Sequence, residues 1–250
     1  MALLDRVLEV RGWSALIGVC LLTVALTGCD TIGSHAAHRS KGLELYRAGD
    51  YAAAADRFQQ AADRNSTDLA SHYWLAVSLM ELGRYDAAQL PLEQALAIDP
   101  ESRSFAGRVR DRLAEVYYRQ DRDAKLHAFL EGSVKENGQQ PRDFLRQAHY
   151  LQKTGDMDGA RLALQKAVHF SGGDQPGPYL AMASFYEGIN DGPSARRSLE
   201  YAYHLDPDNA EAASRLEGYG VVLGPSAGAA PPRPEILAEP IPGVGSAPAR

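Results

Sequence analysis

Two stretches of this chain repeat one another at a fixed distance. LYRAGDYAAAADRFQQA (Leu45–Ala61) aligns with LMELGRYDAAQLPLEQA (Leu79–Ala95) at an offset of 34 residues throughout. Gly49 falls on Gly83, Tyr51 on Tyr85, Ala54 on Ala88, Phe58 on Leu92 and Ala61 on Ala95. A constant period of this length restricts the fold severely. Each copy is one small unit that cannot bury its apolar face alone, so the copies must stack into an array. Within each copy the apolar residues recur at helical spacing, and a glycine separates two such stretches. Glycine accepts the left-handed backbone at a helix end, and Pro100 closes the second copy because proline cannot extend a helix.

The same frame returns downstream. RQAHYLQKTGDMDGARLALQKAV carries Ala148, Leu151, Gly155, Ala160, Leu164 and Ala167 in the expected places. YLAMASFYEGINDGPSARRSLEYAYHLDP carries Ala183, Tyr186, Ala195, Leu199, Ala202 and Pro207. From about residue 35 to 209 the chain resembles the tetratricopeptide repeat (TPR) superfamily, whose period is 34 residues. The resemblance implies an all-α fold: a right-handed superhelical α-solenoid of about five helical hairpins with a C-terminal capping helix. It also implies that Gly42 and Ala76, 34 apart, mark the close approach of the two helices of a hairpin.

The units run over about 35–68, 69–102, 103–140, 141–175 and 176–209, with a cap at 209–220. The third is degenerate. Its turn glycine is missing, Gly132 falls inside the second helix, and Ala88 to the matching Leu126 is 38 residues. A lengthened first helix is the expected cause. The cap, NAEAASRLEGYG, offers Leu216 and Tyr219 to cover the last unit. From 221 to 250 the chain is rich in Pro, Gly and Ala and reads as a disordered tail.

Ahead of the array stands a different segment. The apolar run WSALIGVCLLTVAL (Trp13–Leu26) is 14 residues, short of the roughly 20 a membrane-spanning helix needs. It suits the core of a secretory signal, about 7 to 15 residues after a basic start, and Arg6 and Arg11 supply that start. Leu26-Thr27-Gly28-Cys29 resembles the lipobox of bacterial lipoprotein precursors. The resemblance implies a signal peptide over 1–28, cleavage before Cys29, a diacylglycerol on its sulfur and an acyl chain on its new amino group. Residues 29–34 would then be a lipid-anchored tether, and the array would face the periplasm. Asp30 resembles the signal that retains some enterobacterial lipoproteins in the inner membrane, which slightly favours that membrane. Of the two cysteines, Cys20 would leave with the signal and Cys29 would be lipidated. No thiol would remain for redox or thiolate metal chemistry.

The net charge is -6, and the charged residues of the signal cancel, so the working part is acidic too. That composition argues against nucleic acid as a partner. Motifs for chemistry are sparse. GPSAG (Gly224–Gly228) fits G-x-S-x-G, but Ser226 needs a strand-to-helix turn, and two alanines and two prolines follow. A hydrolase using Ser226 is therefore a remote alternative. His35 and His38 lack a third ligand, and GDMDG (Gly155–Gly159) lacks the remaining oxygens of a calcium loop. No catalytic residue, metal site or cofactor is expected, apart from the lipid on Cys29.

In the resembled superfamily the first helices line a concave face that holds a peptide or a partner's helix. A lysine, asparagine and arginine set that clamps a carboxyl terminus in some relatives is absent: the matching places hold Arg39 and Leu43, Tyr73 and Val77, Leu145 and His149. Basic charge gathers instead between Arg103 and Lys125, with seven basic and four acidic residues. Arg108, Arg112 and Arg119 recur at helical spacing, as do Arg142, Arg146 and Lys153. These two sets are expected to face one another and grip an acidic segment, since arginine binds carboxylates through paired hydrogen bonds. The alternative is a solvated face with local pairs around Arg108 and Glu115. A second candidate surface is the set Tyr46, Tyr73, Val77 and Met80, mostly core. The expected function is a membrane-anchored scaffold for protein partners in the bacterial envelope. The alternative is a pilot or assembly factor for a secretin, a type IV pilus or an outer-membrane complex.

Overall fold

The computed structural model describes residues 35–102, 105–224 and 227–231. Every regular element among them is helical. After α1 (35–47) come α2 (Tyr51–Arg64), α3 (Leu69–Glu81), α4 (Tyr85–Ile98) and α5 (Ala106–Arg119). Then follow α6 (Asp123–Glu136), α7 (Pro141–Lys153), α8 (Met157–Phe170), α9 (Pro176–Gly188), α10 (Gly192–Leu205) and α11 (Ala210–Gly218). The chain divides after Gln120 into two compact units, α1–α5 and α6–α11. The signal segment, Cys29, Asp30, the tether, Ser226 and the tail beyond 231 lie outside the described residues. No helix among the described residues is long and apolar enough to cross a membrane.

In the first unit, α2 buries Ala54, Ala55, Phe58, Ala61 and Ala62. That spacing is one face of a helix. Phe58 fixes the first hairpin. A Cβ on Gly42 would stand 2.7 Å from the Phe58 ring, so only glycine lets α1 and α2 close on each other. α3 packs against α2, α4 and α5. Its buried residues run unbroken from Leu75 to Met80, as expected of a helix covered on several sides. α4 carries Pro91 in its interior.

In the second unit three apolar clusters follow one another. Ala148 and Leu151 meet Ala160, Leu164 and Phe185; Val168 and Tyr179 meet Ala202 and Ala212; Ala183 and Leu199 meet Leu216. Leu216 is fully buried and Tyr219 packs beside it, so α11 covers the last hairpin.

Two expectations are corrected. The irregular spacing of the third hairpin lies mainly in the linker. α5 has 14 residues against 13 for α3, whereas the connection before it is 99–105 in place of 65–68. The chain after Gly220 also does not lose structure at once. Val221 and Leu223 pack on the cluster around Leu199 and Leu216, while Val222 between them is exposed. Alternation of this kind is what an extended segment lying on a surface produces.

The missing turn glycine has an explanation. Gly49, Gly83 and Gly155 have φ of 80, 70 and 88°. Asp121 (φ 54°) and Asn190 (φ 60°) occupy the same left-handed turn in the third and fifth hairpins. Asp and Asn are the side chains that tolerate this region best.

Candidate peptide-docking face

On the first unit an aromatic chain joins α1, α2 and α3 to the start of α5. Tyr46 of α1 lies 5.2 Å from Tyr51 and 5.2 Å from Trp74, ring centre to ring centre. Trp74 continues to Phe58 at 6.4 Å and to Tyr73 at 5.4 Å, and Tyr73 to Phe105 at 5.4 Å. Most of these contacts are tilted or edge-on, the geometry that ring quadrupoles favour. At the α5 end the Arg108 guanidinium lies over Phe105 at 4.6 Å and over Tyr73 at 5.7 Å. Arg112, one turn on, is exposed and near enough to Tyr46 to act on its phenol. Burial is the main cause that raises the Tyr46 pKa; the charge of Glu81 and its hydrogen bond add to it, and Arg112 opposes it. Tyr46 Oη donates to Glu81 Oε1 at 3.3 Å.

Arg119, also exposed, lies 5.7 Å over the Tyr85 ring and donates to Glu115 at 2.6 Å. The hydrogen bond and charge of Glu115 raise the Arg119 pKa. Arg39 donates to both Asp68 oxygens at 2.7 Å, and Ser71 Oγ donates to Asp68 at 2.6 Å. That carboxylate neutralises Arg39. Arg110 is buried and donates to the Pro100 carbonyl at 2.9 Å, tying the linker to α5.

Arg108, Arg112 and Arg119 are therefore all exposed on α5, with Arg108 and Arg119 each resting on an aromatic ring. Tyr46 is half-buried and within electrostatic reach of Arg112. Tyr73, Val77 and Met80 are buried, so Tyr73 supports the arginines and is not itself a docking surface. Phe105 and Trp74 complete the arrangement, and repeat alignment does not reveal them. Phe105 stands in the irregular linker, and Trp74 reads as one more apolar residue of α3.

On the second unit, α7 carries Arg142, Arg146, His149 and Lys153. Arg142, His149 and Lys153 are exposed; His149 packs its ring edge-on against Tyr150 at 5.0 Å, and Lys153 lies 5.4 Å over the same ring. Arg146 is a correction. It is buried and paired with Asp143, one turn earlier on the same helix, and Asn137 Nδ2 donates to the other Asp143 oxygen at 3.1 Å. Its charge is met inside the unit.

The weaker motifs also resolve. In GDMDG, Gly155 makes the left-handed turn and Asp156 caps α8 by accepting from the Gly159 amide at 2.8 Å. No group of three or more potential metal ligands occurs among the described residues. The residues flanking Ser226 that are described, Gly224 and Ala227–Pro231, form neither strand nor helix, so they supply no strand-to-helix turn.

A family model for the tetratricopeptide repeat matches residues 39–103. The array also resembles solved structures. A thermophilic TPR protein of Thermus thermophilus aligns at 21% identity and a TM-score of 0.50, over 76% of this chain and 100% of that one. MamA from Desulfovibrio magneticus RS-1, residues 41 to its end, aligns at 16% identity and 0.51, over 71% and 97%. A further MamA structure gives 16% and 0.51, over 77% and 98%. The fold is that of the tetratricopeptide repeat. No protein with a curated description matches.

Proposed function

We propose that this chain is a lipid-anchored interaction scaffold of a bacterial envelope, and that the α1–α3–α5 face of its first unit docks an acidic partner segment. The observation that carries the reading is the seating of Arg108 on Phe105 and Tyr73, with the exposed Arg112 one turn further along α5. An arginine held over aromatic rings has its planar fork oriented in advance for a carboxylate and loses less freedom on binding than one on a mobile stem. Asp68 already pairs with Arg39 and Glu115 with Arg119, so neither of those two arginines is counted in the docking contact. The anchor rests on Leu26-Thr27-Gly28-Cys29 after a short apolar core. Stable attachment needs more than one acyl chain or a second signal, and the diacylglycerol with its N-acyl partner meets that need.

Two measurements test the reading separately. Crosslinking pull-down from membranes of the native cell compares the natural chain with Arg108→Glu/Arg112→Glu. The partner recovered with the natural chain is expected to be lost from the variant; equal recovery refutes the docking face. Cys29→Ser is expected to move the protein from the membrane to the soluble fraction; persistence in vesicles refutes the anchor.

A further inference from the structure

The second unit ends in a hairpin that has a first helix and a turn but no second helix. α11 closes as other first helices do. Gly220 (φ 76°) donates to the Glu217 carbonyl at 2.9 Å, and Val221 to that of Leu216 at 3.1 Å. Gly49 and Asp50 make the same pair of bonds to Tyr46 and Leu45, and Gly83 and Arg84 to Met80 and Leu79. Two residues after Gly49, Gly83, Gly155 and Asn190 a helix begins. After Gly220 none does. Pro225 falls at the fifth place beyond the turn, where Ala54, Ala88, Ala160 and Ala195 stand in the complete hairpins. Proline there would remove a helical hydrogen bond and clash with the preceding turn.

In the complete hairpins a large side chain of the second helix closes over a small residue of the first. Phe58 lies against Gly42; Leu164 shares an apolar cluster with Ala148, and Leu199 with Ala183. Gly42, Ala148 and Ala183 are all buried. Ala213 holds this place on α11, seven residues before the turn glycine, and it stays partly exposed. The extended segment after α11 does not do the work of a helix here. Val221 and Leu223 reach the cluster of Leu199 and Leu216, but Val222 faces away. A cavity of about 350 Å³ remains between Gly224 and Gly228 of the segment and Tyr203, His204 and Pro207.

We infer that the α10–α11 face docks an amphipathic helix from a partner protein, which completes the last hairpin and displaces the extended segment. The array's own second helices set what that helix must carry. It needs a small residue, a large apolar one four places on and a small one three beyond, as in Ala54, Phe58 and Ala61 or Ala195, Leu199 and Ala202. The large residue covers Ala213, and the helix lays its apolar face into a groove made by two others. Residues 225–250 cannot supply it. No proline-free stretch among them exceeds five residues, against the roughly 12 at which an isolated helix becomes even marginally stable. A second copy does not supply it either, because Phe58, Leu92, Leu164 and Leu199 are already buried within their own hairpins. The face shares no residue with the arginines of α5, so this inference stands apart from the acidic docking proposed above.

The probe is a blocked peptide with the sequence of Tyr51–Arg64, YAAAADRFQQAADR, titrated into the isotope-labelled full chain and followed by NMR. Resonances of Ala213, Leu216 and Val221 are expected to shift together. Gly228→Val, which loosens the extended segment, is expected to tighten binding about tenfold, because the peptide then displaces less apolar burial. Phe58→Ala in the peptide is expected to abolish the shifts. Ala213→Glu in the full chain is expected to do the same with helical circular dichroism unchanged. Absence of shifts at millimolar peptide, shifts confined to the first unit, equal binding of the alanine peptide, or no gain from Gly228→Val would each overturn the inference. Dimerisation of the Gly228→Val chain without peptide would overturn it too, by giving the face to a second copy.

Discussion

Arg146 and Asp143 form an ion pair inside the second unit, with side chains only 3% and 5% exposed. One turn of α7 separates them, and Asn137 supplies a further donor to the carboxylate. A buried pair of this kind owes little to its net energy and much to its completeness, because either charge alone would be stranded. Arg146→Met is therefore expected to destabilise the protein by about 3–5 kcal/mol, while Asp143→Leu/Arg146→Met should recover most of that loss. Urea unfolding of the three proteins checks it. A single variant no less stable than the parent would show that the pair is not desolvated.

The turns inside the hairpins give a second prediction. Nothing lies within 4 Å of a Cβ placed on Gly83, so its requirement is one of backbone conformation alone, at φ 70°. Gly83→Ala should cost about 1–2 kcal/mol. Asn190 has φ 60° at the matching turn, and Asn190→Gly should raise stability by up to about 1 kcal/mol, offset in part by the greater freedom of the unfolded chain. Thermal melts of both variants should move in opposite directions.

These turns also show where the sequence was legible. Gly49, Gly83 and Gly155 announce their hairpins because glycine is the ordinary answer to a left-handed backbone. Asp121 and Asn190 meet the same demand with side chains that also suit helix caps and loops, so repeat alignment passes over them. The helices and most of the core could be read from spacing, since Gly42 and Phe58 must fit together wherever the period places them. The burial of Arg146 could not. Its spacing is that of a surface stripe, and its burial goes with a pairing to Asp143, itself held by Asn137 from before the helix, which spacing does not reveal. The seat of Arg108 was half visible: the exposed arginines of α5 follow from spacing, but Phe105 enters from an irregular linker with no repeat position.

The segment after α11 makes a third prediction. A Cβ on Gly228 would stand 2.9 Å from both the Cα and the backbone nitrogen of His204. Neither atom can yield without moving α10, so Gly228→Val should lift this segment from the helix. Val221 and Leu223 would then be less firmly held over Leu216 and Leu199. Losing the burial of one such side chain amounts to about 1.5–3 kcal/mol. Limited proteolysis should cut the variant between 221 and 231 faster than the parent. Unchanged cutting would mean that the apolar contacts hold without Gly228.

Tyr179 gives the last prediction, through pH. It is almost wholly buried beside Tyr201, 5.5 Å away between ring centres. Burial first, and then the neighbouring phenol, push its pKa from 10.0 up to about 12. A folded value raised above the unfolded one fixes the sign. Below pH 10 the phenol is neutral in both states and its contribution to stability is whole. Between pH 10 and about 12 the unfolded chain ionises while the folded one resists, so stability falls as pH rises. Tyr179→Phe removes only a hydroxyl whose contact with the Gly173 carbonyl is 3.5 Å long, so little should change at about pH 8. Above pH 10 the variant should lose stability less steeply than the parent. Denaturant unfolding of the two proteins from about pH 8 to about 11.5 isolates this group, since every other titrating residue is common to both. Parallel curves over that range would mean that the Tyr179 phenol ionises as readily in the folded protein as in the unfolded chain.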